Sequence, residues 1–219
     1  MKTFKVLAAL LSYPEAEMIA ALPELESVLL REGLLGPIEQ QDLRKLTREL
    51  ADGDLLDLQE RYVGLFDRSR GLSLHLFEHV HGDSRDRGSA MVELANLYRQ
   101  RGLMIARAEL PDYLPLFLEY LAHLDRAEAR SSLGDVAHIL APIHQRLAKR
   151  GSSYAFAIAA LLRLAEYIRR PTRRWPRRSP TIRRRRSTGC GRRRPSPSAV
   201  QMPRRRRSPA RAPRRWSNA

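Results

Sequence analysis

Asp54-Leu55-Leu56-Asp57-Leu58-Gln59-Glu60-Arg61-Tyr62-Val63-Gly64-Leu65-Phe66 decides the fold class. Leu55, Leu58, Tyr62 and Leu65 return at intervals of three and four, with Phe66 beside them. An α-helix gathers such residues into one apolar stripe and turns Asp57, Glu60 and Arg61 outward, whereas a strand would scatter them over both faces. The same period extends outward in both directions. Upstream, residues 37–51 read as a helix with Pro37 suited to its first turn. Residues 15–32 read as another, bent near Pro23 and ended by Gly33. Residues 2–12 form a short apolar helix stopped at Tyr13-Pro14, because a proline disfavours helix in its predecessor.

Downstream, Asp83 or Ser84 can cap a helix whose inner face is Ala90, Met91, Leu94, Leu97 and Tyr98, closing at Gly102. A further helix is expected to start near Asp112, with Pro115 in its first turn, and to bury Leu114, Phe117, Leu118, Leu121 and Leu124. Residues 132–149 carry Val136, Ile139, Leu140, Ile143 and Leu147, with a kink expected at Pro142. Residues 153–167 are apolar on most sides, the mark of a central helix. No stretch alternates as a strand would. The expected fold is all-α: a single compact bundle of about seven to nine helices with a disordered C-terminal tail.

Hydrophobic residues make up 43% of the 219, enough for a core, and only 6% are aromatic. The single cysteine, Cys190, excludes a disulfide framework or a cluster of thiolate ligands within one chain. That usage fits a reducing cytosol. The first residues, Met1 to Pro14, resemble a short signal peptide, but acids follow at Glu15 and Glu17, and the stretch reads instead as a first helix. No run of about 18 apolar residues is present, so stable membrane insertion is not expected.

The formal net charge of +16 is an average over two unlike regions. Residues 1–168, the expected helical domain, hold all 24 acids, all six histidines and 20 of the 40 Lys and Arg, a net charge of −4. Residues 169–219 hold the other 20 basic residues, all Arg, and no acid. An Arg/Pro/Ser tract cannot bury enough surface to offset its ordering entropy. Three readings of it are open. It is a solvated tail; it binds nucleic acid by counterion release at phosphates; or it is the product of a shifted reading frame. For the last, GC-rich codons allowed for residues 186–198, Arg186-Ser187-Thr188-Gly189-Cys190-Gly191-Arg192-Arg193-Arg194-Pro195-Ser196-Pro197-Ser198, can spell Leu-Asp-Gly-Leu-Trp-Glu-Glu-Ala-Pro-Val-Thr-Phe-Gly in another frame.

The densest polar stretch is Leu74-His75-Leu76-Phe77-Glu78-His79-Val80-His81-Gly82-Asp83-Ser84-Arg85-Asp86-Arg87-Gly88. His75, His79 and His81, with Glu78 or Asp83, could be ligands, but their spacing matches no defined zinc signature. The competing reading is a loop hydrogen-bonded to its neighbours. Asp83, Arg85, Asp86 and Arg87 alternate in sign, as in a helix start or in a polar rim that registers a bound peptide. No nucleophile with a base and an orienting partner stands out, and Gly82 and Gly88 lack the strand–turn–helix setting of a phosphate loop. Leu110-Pro111-Asp112-Tyr113-Leu114-Pro115-Leu116-Phe117-Leu118-Glu119-Tyr120-Leu121 reads as core, with some members free to line a groove for a partner helix.

These segments carry a resemblance. Leu11-Ser12-Tyr13-Pro14, Leu65-Phe66-Asp67-Arg68, the stretch 73–91 with its Phe77-Glu78-His79-Val80-His81-Gly82 centre, and 109–121 together resemble the NarJ branch of the molybdoenzyme chaperones, a family that includes the TorD and DmsD types. The resemblance covers roughly residues 1–167. It implies an all-helical cytoplasmic chaperone without catalytic activity or a cofactor of its own. Its partner would be the N-terminal peptide of the immature nitrate reductase catalytic (alpha) subunit, or the apo alpha–beta complex. That subunit would be held competent for molybdenum cofactor and iron–sulfur insertion before it docks at the membrane. Similar proteins continue past the position of Tyr167 with an acidic segment resembling Ala-Leu-Asp-x-x-Trp-Glu-Glu-x-x-Val-x-Phe, which the shifted frame recovers. The residues expected to bind the peptide are Tyr62, Phe66 and Asp67 on one helix, Glu78, His79, His81, Asp83, Arg85, Asp86 and Arg87 in the polar loop, and Pro111, Asp112 and Tyr113. Nucleic acid is expected as a partner only if the Arg-rich tail is genuine.

Overall fold

The computed structural model describes residues 1–80, 86–105 and 109–165. The expected site residues His81, Asp83 and Arg85, the candidate cap Ser84 and the whole Arg-rich stretch 169–219 lie outside the described residues. The chain divides into two units, Met1–Arg177 and Arg178–Ala219, and all described residues belong to the first.

The described residues form nine α-helices: α1 (Lys2–Leu11), α2 (Ala16–Ala20), α3 (Leu22–Glu32), α4 (Pro37–Asp52), α5 (Leu55–Tyr62), α6 (Asp86–Gln100), α7 (Leu114–Ala122), α8 (Arg126–Lys149) and α9 (Tyr154–Leu164). Among them no strand forms beyond a single isolated antiparallel bridge, and no helix is long and apolar enough to cross a membrane.

Two helices are central. α1 buries Phe4, Val6, Leu7, Leu10 and Leu11 and packs chiefly against α7, with α3 and α9 on other sides. α9 buries Tyr154, Ala157, Ile158, Ala160 and Leu161 against α8, α4 and α1. Their alanines let the helix axes approach, and the leucines of α4, α7 and α8 fill the remaining space. The first amides of α1 are not capped locally. They donate instead to the Glu32 carboxylate at the far end of α3, Lys2 N at 2.8 Å and Thr3 N at 2.5 Å. Satisfying orphan helix donors this way ties the chain start to the α3 terminus. Gly33 ends α3 with φ at +60°, a conformation that costs a glycine nothing.

Several boundaries differ from the sequence expectation. The single bent helix over 15–32 is two, broken at Ala21; the restart places Pro23 in the first turn of α3, where its missing N–H is not needed. The helix near Asp112 begins two residues later at Leu114, because the chain at Asp112 is extended and committed to another segment. α8 starts at Arg126, well before residue 132. Asp125 caps it, its Oδ1 accepting from Glu128 N at 2.8 Å. It runs unbroken past Pro142, which faces solvent. The expected inner face of α6 is only partly inward. Of its five residues Tyr98 alone is buried; Ala90, Met91 and Leu94 are half-buried, with Leu94 packed against the core, and Leu97 is 39% exposed.

Candidate functional site

Asp54 opens α5, its Oδ1 accepting from Leu56 N and Asp57 N at 2.9 and 3.3 Å. With the start fixed, the apolar stripe brings Leu58 and Tyr62 inward. The helix then widens into a π-helical turn over Val63–Asp67, closed by Arg68 N donating to Val63 O at 3.0 Å. Such an extra residue re-aims the side chains that follow it. Here Leu65 and Phe66 turn inward and Asp67 stays exposed.

Tyr62 is the centre of an aromatic group. Its ring lies 4.8 Å from Phe66, 5.6 Å from Tyr13 and 6.1 Å from Tyr154, and Phe66 meets Tyr154 edge-on at 5.2 Å. The buried Tyr62 hydroxyl donates to the Leu11 carbonyl at 2.9 Å, at the end of α1. Its single proton is thereby used, so the Tyr113 hydroxyl, also 2.9 Å away, is the donor in their contact. Burial raises the pKa of Tyr62 far above the ordinary tyrosine value, and the adjoining Tyr113 adds to the shift. Burial likewise pushes Tyr154 up to about 12. For Tyr113 the upward shift comes first from burial, with the charges of Glu109 and Asp67 contributing. These two carboxylates therefore set a negative field at the Tyr113 edge.

The polar loop is stitched to the segment before α7. Leu76 N donates to Asp112 O at 3.0 Å and Leu114 N to Leu74 O at 2.9 Å, and His75 and Tyr113 form the antiparallel bridge between them. Asp112 is 0% exposed. Its Oδ2 accepts from Phe77 N at 3.1 Å, its Oδ1 lies 3.3 Å from His75 Nδ1, and Arg87 stands 3.9 Å away. A buried carboxylate is tolerable because these donors replace its water. The hydrogen bond to Asp112 raises the pKa of His75 against an opposing effect of burial. Arg87 also reaches Glu78 at 3.4 Å, joining the start of α6 to the loop. His79 Nε2 donates to Ser73 O at 2.8 Å, which fixes its tautomer, and Tyr98 of α6 donates to Pro111 O at 2.8 Å.

The structure thus brings together Tyr62, Phe66, Tyr113, Asp112, Glu78, His79, Pro111 and Arg87 in one linked group, with Asp67 at its edge. Asp86 sits exposed in the first turn of α6, its carbonyl accepting from Ser89 Oγ at 2.9 Å. Asp112 and Tyr62 are buried, whereas Asp67 and Glu109 are exposed and Tyr113 is half-buried. Among the described residues no group of three or more His, Cys, Asp or Glu side chains is placed to hold a metal. The ring nitrogens of His75 and His79 named above serve Asp112 and the Ser73 carbonyl instead.

Sequence reasoning missed His75, Ser73, Tyr13, Tyr154 and Tyr98 as members of this group. One signal for His75 was available. Leu74-His75-Leu76 alternates apolar, polar, apolar in the letters, and the structure buries its two leucines and half-buries the histidine, as in a paired extended segment. Three residues are too short a run to be read as strand from sequence.

Residues 19–160 match the model of the nitrate reductase delta subunit family, a span that includes every candidate site residue. The chain is 46% identical over 160 residues to the nitrate reductase molybdenum cofactor assembly chaperone NarJ of Escherichia coli K12, covering 73% of this chain and 68% of that protein. It is 42% identical over 165 residues to the probable assembly chaperone NarW of the same organism, covering 75% and 68%. It is 33% identical over 173 residues to the probable chaperone NarJ of Bacillus subtilis strain 168, covering 76% and 89%. With its all-helical fold and this extent of identity, the chain belongs to the nitrate reductase delta subunit family.

Proposed function

We propose that this protein is an assembly chaperone, and not a catalyst, for a nitrate reductase. It binds the N-terminal segment of the immature catalytic subunit in the cytoplasm and covers it while molybdenum cofactor and iron–sulfur insertion proceed, releasing it for membrane docking. The carrying observation is the 46% identity to an assembly chaperone, together with a family match over residues 19–160 that includes every expected peptide-binding residue.

The geometry supports holding rather than chemistry. Tyr62 and Asp112 are locked by internal hydrogen bonds, so the surface above them is pre-organised and loses little entropy on binding. Exposed Tyr13 and half-buried Tyr113 offer aromatic area; Asp67 and Glu109 offer negative charge. That combination suits an amphipathic, partly basic peptide. The domain proposed to do this is residues 1–168, whose net charge of −4 favours the same partner.

Calorimetry with a synthetic peptide from the reductase catalytic subunit tests the proposal. Asp67→Lys with Asp86→Lys should weaken binding about tenfold, roughly 1.4 kcal/mol, while the melting temperature holds, since both residues are exposed. Unchanged affinity would remove this edge from the binding site. Failure of the wild-type chain to capture the catalytic subunit from nitrate-respiring cells would remove the chaperone reading itself.

A further inference from the structure

The chain continues past α9 into Arg169-Arg170-Pro171-Thr172-Arg173-Arg174-Trp175-Pro176-Arg177, which belongs to the same unit as the described residues. This stretch holds five Arg and one Trp, and no acid. It has the chemistry assigned above to the client, positive charge with an apolar anchor among it.

The proposed client edge has the opposite charge. Tyr13 is 41% exposed, with its ring 5.6 Å from Tyr62, and the half-buried Tyr113 meets the Tyr62 hydroxyl at 2.9 Å. Pro14 is held to α5 by Gln59 Nε2, which donates to its carbonyl at 2.9 Å, and Glu15 follows it, exposed. Asp67 and Glu109 are exposed too. Arg68 is exposed beside Asp67, so three acids stand against one base among these groups. A guanidinium both stacks on an aromatic face and pairs with a carboxylate, so an Arg-rich segment fits an edge made of tyrosines and acids.

The segment is also long enough to reach it. Tyr154, the first residue of α9, lies 6.1 Å from Tyr62. From there to Leu164 the helix is about 15 Å long at 1.5 Å per residue. Residues 173–177 follow Ala165 by roughly 26–40 Å of extended chain at about 3.3 Å per residue, enough to return over that distance. A segment tethered this way acts at an effective concentration on the order of millimolar, so even weak pairing competes with a free peptide.

We infer that residues 169–177 occupy the client edge formed by Tyr13, Asp67, Glu109 and Tyr113, as an internal competitor of the client. The inference rests on the client site proposed above. Client binding then requires the segment to leave, and the apparent affinity falls in proportion to the fraction of chains whose edge is open.

The first test uses no client. A photo-crosslinking residue replaces Thr172 in the full, nucleic-acid-free chain at high dilution. Crosslinks within one chain are expected to residues 12–15, 62–67 and 109–113, and Asp67→Lys with Glu109→Lys should remove them. The second test is calorimetry with the synthetic peptide from the reductase catalytic subunit. If the edge is filled about nine-tenths of the time, Arg169→Gln, Arg170→Gln, Arg173→Gln, Arg174→Gln and Arg177→Gln together should tighten binding about tenfold. Trp175→Ala, which changes no charge, should tighten it too, which mere repulsion of a basic client by the five Arg would not produce. Crosslinks confined to residues 166–219, crosslinks only between two chains, or a client affinity unmoved by both sets of substitutions would each overturn the inference. Because the crosslink is read without client, its failure is a separate result from failure of the chaperone reading.

Discussion

The carboxylate of Asp112, wholly buried before α7, lies 3.3 Å from Nδ1 of His75 in a loop 37 residues earlier, and this pair joins the polar loop to the bundle. Around it the Phe77 amide and Arg87 complete the carboxylate's shell. One buried acid thus ties the described part of the loop, up to Val80, and the start of α6 to the segment before α7.

His75 makes the protein sensitive to pH. Its folded pKa is raised, first by the hydrogen bond to Asp112, so His75 holds its proton more tightly in the folded state than in the unfolded one. The resulting stability is fully present below the unfolded histidine pKa of about 6.5 and is lost as pH rises through the higher folded value. Urea unfolding at pH 6 and pH 8.5 should show a larger gap between wild type and His75→Gln at the lower pH. An equal gap at both would mean that the imidazolium contributes nothing.

Asp112→Ala should be severe. It leaves the Phe77 amide and the charged Arg87 without their buried acceptor, a loss of about 3 kcal/mol. The melting temperature should fall accordingly, and peptide capture should fall with it. Asp112→Asn keeps one acceptor oxygen and should retain part of the stability, although it cannot balance His75 or Arg87.

Tyr62→Phe removes the donor to the Leu11 carbonyl while keeping the ring against Phe66 and Tyr154. A destabilisation of about 1–2 kcal/mol is expected from the buried carbonyl left unpaired. Tyr113→Phe should cost less, about 1 kcal/mol or below, because Tyr62 keeps its bond to Leu11. Chemical denaturation that ranked the two in the opposite order would contradict the donor assignment.

Leu118→Ala tests the contact of α7 with the central helix α1. The side chain is fully buried, and α7 is the main neighbour of α1. A loss of about 2–5 kcal/mol is expected, the range for a leucine cavity that collapses incompletely. Calorimetric unfolding gives the value directly.

The helices were legible because their cause is local. Leu55, Leu58 and Tyr62 fall on one face by spacing alone, and Pro37 and Gly33 mark ends through their own backbone preferences. The all-α fold class and the apolar character of α1, α7 and α9 followed from the order of residues in the chain. Charge density marked the loop and the run of large apolar residues marked 110–121, and the resemblance was then recognised at those two stretches. Interactions between distant segments were not legible. The break at Ala21, the start of α7 at Leu114 and the half-uncovered face of α6 depend on what packs alongside, which no local period records. The same holds within the site. The letters name Asp112 as a charged residue beside a helix, but only the folded chain places it 0% exposed beneath His75 and Arg87, as a support and not a surface anchor. Helix formation is decided over four or five residues. The environment of a carboxylate is decided by whichever segments the collapse of the core brings against it.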